Sequence, residues 1–366
     1  SDKKASAFFK SITTTGRLAH LYDFENKKVF FPEVDSRFKF CAFIAGGTNR
    51  KDLPPAKLSF FLHHVDELYS DPKNKVYDTE RVFELTAKDF ANINPNTGTA
   101  PIFRSRQDAE LTTRIYEQLP VLHEHGKEMV WKVSYMQMFN MTTDSELFYD
   151  IESLEAEGAY PIELNKWKRK DNYFLPLYEG KMMQIYDHRA SDIVVQEGNL
   201  KRPGQQTVIP DEEKQNPERY PKPRFWINSQ ITSNGFKYII GFKNVCSTTN
   251  VRTMIASILP ECGAGHSLPV ITFDGKDKAY LYCAFLSMIC SYAFDYLLRQ
   301  KLMGVNLTMY ILEQLPVIPP ETYDKPLNAD WETTVGAFVQ AHVLRLTYTA
   351  WDMQPFAKDL GYEGEP

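Results

Sequence analysis

Short aromatic or aliphatic runs set apart by turn-forming residues dominate the chain, and helical spacing is sustained in only a few places. RLAHLYDF (17–24) and RFKFCAFIA (37–45) are two such runs, separated by ENKKVFFPEVDS. They predict adjacent strands. Too little chain follows for a sheet of its own before Pro54-Pro55, so this piece reads as the end of something larger. Asp66–Tyr69 and Thr79–Ala87 are short mixed segments, the second running into TAKDF, a helix start. NINPNTGTAPIF (92–103) is turn chemistry. Ser105–Leu119 then carries apolar residues at 111, 115, 116 and 119, acids in its first turn and Pro120 at its end, which predicts a helix.

From Tyr160 the pattern shifts to short aromatic strands between Gly and Pro loops: YFLPLYEG, KMMQIYD, FWINSQI, KYIIGFKNV, RTMIASILP and SLPVITF. They predict a mixed, irregular β-sheet with long loops. The loop Glu197–Pro223 is too polar and Pro-rich to be core. Helices are predicted over 279–300 and 333–350. The fold class is therefore α+β, an irregular sheet flanked by helical segments, with residues 1–50, 51–159, 160–320 and 321–366 as successive regions.

Composition narrows this picture. With 366 residues and 43% hydrophobic content, the chain can bury more than one core. Its formal charge of -5 comes from 42 basic and 47 acidic residues, which argues weakly against a nucleic-acid partner. That average misleads, because residues 321–366 alone hold eight acids and three bases. The remainder is neutral, with local basic runs at 167–170 (WKRK) and 201–204 (KRPG). Five cysteines form no CxxC pair and are odd in number, so neither a zinc ribbon nor a disulfide framework is indicated, and a reducing cytoplasm fits. The most apolar run, Ala279–Phe294, is too short and too polar for a membrane span.

Most motifs for chemistry are missing. There is no GxGxxG after a strand, no GxxxxGK[ST] and no GxSxG, and Gly46-Gly47 reads as a plain loop. His63 and His64 are adjacent and point apart. His123 and His125, in LHEHGKE, can share a strand face but lack a second ligand pair in sequence, so no metal is expected. Cys262 and His266, in ECGAGHSLP, raise a thiol nucleophile with a base, against the simpler reading of a buried cysteine in a glycine loop.

The basic clusters carry more. Residues 164–189 hold six bases (Lys166, Lys168, Arg169, Lys170, Lys181, Arg189) against three acids, with His188 beside them. Residues 199–226 hold six against four, including Lys201, Arg202 and Arg224. Basic loops beside Tyr173, Tyr178, Tyr220 and Trp226 suit phosphate contact and base-edge readout, as well as a solvated charged face.

Several stretches have a familiar order: GRLAHLYDFENKKVFFPEVDSRFKFC, NPNTGTAPIFRSRQDAELTTRIYEQLPVL, FLPLYEGKMMQIYDHR, PRFWI, GFKNVCSTTNVRTMIASILPECGAGHSLP and LLRQKLMGVNLTMYILEQLPVIPP. Together they resemble the C-terminal half of large adenine-N6 DNA methyltransferases of fused restriction-modification enzymes and BREX-like phage-defence systems. The resemblance implies that residues 1–50 are the last strands of an α/β catalytic domain and that 160–320 is a target-recognition domain. It also implies that S-adenosylmethionine and the [DNS]PP[YF] loop belong to chain outside this sequence. NPNT at 95–98 has the wrong third residue for that loop.

The expected function is thus sequence-specific binding of double-stranded DNA as part of such a methyltransferase, without methylation by this chain alone. Lys166, Lys168, Arg169, Lys170, Lys201 and Arg202 are the expected phosphate contacts. Lys181, His188, Arg189, Arg224, Arg252 and His266 are the expected base readers. Two alternatives stand beside it: a Cys262–His266 enzyme of another class, and a partner-binding module built on helices 105–119 and 333–350.

Overall fold

The computed structural model describes residues 3–49, 53–195, 204–232, 235–273, 278–302, 304–329 and 332–366. Two compact units emerge: Ser1–Val130 with Tyr310–Val317, and Trp131–Met309 with Ile318–Pro366. The region boundaries expected after residues 50, 159 and 320 fall inside these units.

In the first unit, helix α1 (Lys3–Thr13) precedes β1 (Leu18–Glu25) and β2 (Lys39–Ala45). These two strands pair antiparallel, as expected, with Phe24 opposite Phe40. The sheet does not stop at the two prolines. β3 (Ala56–Leu62) begins directly after Pro55 and runs parallel to β1. A proline lacks the donor that a central ladder needs but is tolerated where a strand begins, so Pro54-Pro55 marks an entry instead of an end. After the small hairpin of β4 (Tyr69–Asp71) and β5 (Val76–Tyr77), β6 (Phe83–Leu85) completes the order β2-β1-β3-β6.

Helix α2 (Ala87–Ile93) starts with a capping box between Thr86 and Asp89, and α3 (Arg106–Gln118) has Ser105 as its N-cap. Both lie where the sequence predicts them.

The second unit is the irregular mixed sheet structure expected from residue 160 onward, and it starts earlier. Its strands are β7 (Val133–Met136), β8 (Phe148–Tyr149), β9 (Tyr160–Ile162), β10 (Lys166–Arg169), β11 (Asn172–Tyr178), β12 (Ser191–Val194), β13 (Gln205–Val208), β14 (Trp226–Asn228), β15 (Tyr238–Phe242), β16 (Ala256–Pro260), β17 (Gly263–Ala264) and β18 (Val270–Phe273). One sheet has the order β8-β14-β11-β10-β9, with β17 joining the end of β11 in parallel. A second has the order β16-β15-β18-β7, and β12 pairs with β13 as a ribbon. The chain is an α+β protein.

Two expectations change. KMMQIYD is not a strand: Gly180–Met182 forms a 3-10 turn, and Met182 and Met183 are both fully buried. Adjacent residues of a strand point to opposite faces, so two neighbours sunk in one core favour a tight turn. The predicted helix 279–300 is two helices, Ala279–Ile289 and Tyr292–Lys301, bent by 61°. Ser291 caps the second through the Phe294 amide, so the serine that softens the run also breaks it. No single helix among the described residues is long and apolar enough to cross a membrane.

At the centre of the second unit lies Arg189, only 1% exposed. Its Nη1 donates to the carbonyls of Asn216 at 3.0 Å and Arg219 at 3.1 Å, and its Nη2 donates to those of Lys214 at 2.9 Å and Thr349 at 2.5 Å. One guanidinium thereby gathers the 214–219 loop and the end of helix Val335–Thr347. Burial pulls its pKa down, and the carboxylates of Asp352 and Asp187 oppose that pull. Beside it, buried His188 meets Asp352 through Nε2 and Oδ1 at 3.0 Å.

Substituting Arg189 by Met leaves four part-buried carbonyls without their donor and removes a buried cation beside Asp352 and Asp187, with an expected loss of about 3–5 kcal/mol. Lys keeps the charge but not the planar fork and recovers only part of it. Urea unfolding followed by tryptophan fluorescence reads this directly, because the described tryptophans Trp131, Trp167, Trp226 and Trp351 belong to the second unit. A loss below about 1 kcal/mol would contradict the anchoring role.

Candidate nucleic-acid interface

Strand β11 organises the expected DNA-contacting residues. Its N-terminal end forms a hairpin with β10, in which Trp167 faces Phe174, Lys168 faces Tyr173 and Arg169 faces Asn172. Alternation sends Trp167 and Phe174 into a core with Leu154 and Trp226. Lys168 and Tyr173 are sent outward, with the ammonium 5.3 Å from the ring centroid. Lys170 sits exposed at the hairpin tip in the left-handed region, at φ 54°. Among the described residues, neither Lys168 nor Lys170 has a carboxylate within ion-pair distance. The other two members of the run are paired: Lys166 with Glu261 at 2.6 Å, and Arg169 with Glu157 while lying over the Phe174 ring.

A second group gathers past the other end of β11. The Gly180 amide donates to Ser267 Oγ at 3.2 Å, and a Cβ on Gly180 would lie 2.8 Å from the Ser267 carbonyl oxygen. Only glycine permits this approach. It brings Lys181, Lys243, Asn244 and His266 into one neighbourhood: Lys243 Cγ would lie 3.7 Å from that Cβ, and Asn244 Nδ2 donates to the His266 carbonyl at 3.2 Å. Lys181 donates to the Gly204 carbonyl and pairs with Glu179 at 3.1 Å. Arg224 reaches the same glycine, with its Cδ 3.7 Å from where a Gly204 Cβ would stand, and lies over the Phe225 ring.

Lys243 is the residue that sequence reasoning passed over, because it ends the apolar strand KYIIGFKNV and reads as scaffold. Burial pushes its pKa down, and it has no carboxylate partner among the described residues. The only sequence signal was a lysine following five strand residues that are all buried. At about 3.3 Å per residue, the length of β11 separates the two groups by roughly 20 Å.

Two expected base readers, His188 and Arg189, are not at a surface, and a third, Arg252, is half-buried. His188 and Arg189 are interior, held by Asp352 and by backbone carbonyls, so neither can face DNA. Arg252 is drawn inward as well. Its Nη2 donates to the Cys290 and Ser291 carbonyls at the end of helix Ala279–Ile289, and its Nε lies 3.6 Å from Asp295. A desolvated arginine next to carbonyls and carboxylates is held there by them, and a basic count along the sequence does not register those acceptors. His266 is exposed, with Nδ1 3.4 Å from the Met141 amide. Lys201 and Arg202 lie outside the described residues.

No family model and no curated protein matches this chain. Among solved structures it is similar to the type IIG restriction endonuclease BpuSI, at 10% identity and a TM-score of 0.30, over 98% of this chain and 44% of that one. The chain thus spans less than half the length of that enzyme.

The thiol-nucleophile alternative fails on geometry. Cys262 is buried in the apolar cluster of Met182, Ile239 and Leu268, whereas His266 is exposed. Burial, followed by Asp352 and Glu261, pushes its thiol well above the ordinary range. A thiol held neutral is a poor nucleophile. Brief treatment of the native protein with iodoacetamide at neutral pH, followed by peptide mapping, is expected to label exposed Cys41 and spare Cys262 until the chain is unfolded. Rapid native labelling of Cys262 that His266→Ala abolishes would restore the enzyme reading.

Proposed function

We propose that this chain binds duplex DNA in a sequence-dependent way, as the target-recognition portion of an adenine-N6 methyltransferase of the restriction-modification type. The observation that carries the reading is the pair of uncompensated basic groups at the two ends of β11. Elsewhere in the second unit, Lys214, Arg219 and Lys237 are paired with acids, while scattered bases such as Lys325, Arg345 and Lys358 are also without an ion pair among the described residues but do not gather at β11. Lys168, Lys170, Arg224 and Lys243 do.

The chemistry of each group suits a different task. Lys168 and Lys170 stand on a protruding hairpin beside exposed Tyr173, an arrangement that holds a phosphate backbone and positions the protein without reading sequence. Arg224, Lys243, Asn244 and His266 sit where loops meet, with side chains that can address base edges. The spacing of roughly 20 Å corresponds to about six steps of 3.4 Å along one strand. The ordered similarity of the sequence to adenine methyltransferases supplies the enzyme context. S-adenosylmethionine binding and methyl transfer then fall to the remainder of such a protein, with this chain supplying the choice of target.

The test is a salt titration of binding to a pool of random-sequence duplexes, followed by selection for preferred sites. With Lys168 and Lys170 neutralising about two phosphates, the logarithm of affinity should fall against the logarithm of salt with a slope near about -2, and Lys168→Ala with Lys170→Ala together should remove most of that dependence. Changing Arg224 to Ala should instead relax sequence preference, at about 1–3 kcal/mol for a lost base contact. Salt-independent binding, or no enrichment of any sequence, would overturn the reading.

A further inference from the structure

In the first unit, residues 120–125 meet the returning segment Tyr310–Val317. Val317 donates its amide to the Pro120 carbonyl at 2.9 Å, Leu122 to that of Leu315 at 2.9 Å and His123 to that of Glu313 at 2.9 Å. This short antiparallel contact, with a bridge at Val121 and Pro316, brings Glu313 beside both His123 and His125, which lie in the loop that follows the bridge. The third ligand that LHEHGKE lacks in sequence therefore arrives from residues nearly two hundred positions away.

Glu313 addresses each imidazole with a different oxygen: His123 Nδ1 is 3.5 Å from Oε1, and His125 Nε2 is 3.5 Å from Oε2. One ligand atom from each residue lies within 4.8 Å of the other two, and among the described residues no other His, Cys, Asp and Glu side chains converge in this way. Neither contact is a hydrogen bond. His123 Nδ1 is shielded from water and has no hydrogen-bond partner. Histidines that do pair with carboxylates here come closer, at 3.0 Å for His63 with Glu25 and 3.0 Å for His188 with Asp352. A tetrahedron with metal–ligand bonds of about 2.0–2.1 Å has edges of about 3.3–3.4 Å, so three donor atoms within 4.8 Å of one another need only small side-chain rotations to close around an ion.

The cluster is also braced. Asn96 donates from Nδ2 to the His123 carbonyl at 3.0 Å and accepts from the His125 amide through Oδ1 at 2.8 Å. One side chain thus fixes the backbone of both ligands. The neighbouring Glu124 is turned toward Lys127 at 2.8 Å and does not compete.

We propose that His123, His125 and Glu313 bind a divalent transition metal, Zn2+ by the chemistry of the donor set, with solvent in the fourth position. The metal clips residues 310–317 to the 120–125 segment. This inference is independent of DNA binding.

After treatment with EDTA, the full chain should take up one equivalent of Zn2+ in competition with a chromophoric chelator, and Co2+ should give the visible absorption of a tetrahedral site. His125→Ala, at a half-exposed position whose loss leaves the fold intact by circular dichroism, and Glu313→Gln should each weaken Zn2+ at least tenfold. Asn96→Ala, acting through the backbone it positions, should weaken it by about tenfold. Zn2+ should slow amide exchange across 310–317 in the unsubstituted chain and not in His125→Ala. No saturable uptake, or uptake that persists unchanged in His125→Ala and Glu313→Gln, for example at exposed Cys41, overturns the proposal.

Discussion

The second unit depends on a single buried cation. Four carbonyls from two distant stretches turn toward the Arg189 guanidinium, and neither stretch has enough regular structure to satisfy those oxygens itself. An irregular loop inside a protein carries unsatisfied backbone groups at a high cost, so long loops are normally confined to the surface. Here one planar donor set removes the penalty at four points, and the 214–219 loop can lie against the core while staying non-repetitive. Lys214 and Arg219 reinforce the arrangement from outside, through Asp187 at 2.6 Å and Asp192 at 2.5 Å.

That arrangement explains why basic residues in one stretch have opposite fates. In 164–189, net charge predicts a positive face. The structure sorts those charges by what surrounds them: Lys166 and Arg169 find acids, Arg189 finds carbonyls, and Lys168 and Lys170 find only solvent and an aromatic ring. In this stretch the free cations occupy a hairpin tip, a place where the fold leaves side chains without internal partners.

Local order was legible in the sequence wherever a chemical signal acts within a few residues. Ser105 and Thr86 begin helices through their own hydroxyls, Pro120 follows the end of one, and the short aromatic run YFLPLY gives β11. Signals that depend on distant chain were not legible. The parallel pairing of β3 with β1 rests on a crossover, the inward turn of Arg189 on carbonyls up to 160 positions away, and the convergence on Glu313 on a returning segment. The base-reading set failed at His188, Arg189 and Arg252 for the same reason, because their acceptors come from elsewhere in the unit. Lys243 was missed because a strand of buried residues hides the one that follows it.

The order in which the chain visits its two units bears on how such a protein can be modified. It enters the first, leaves after Val130, returns for Tyr310–Val317 and departs again. Exchanging the second unit by a single crossover would therefore part the returning segment from the 120–125 segment it bonds with. A graft that respects the fold has to be joined at three places, and the loops of the second unit are easier to vary than the unit is to replace.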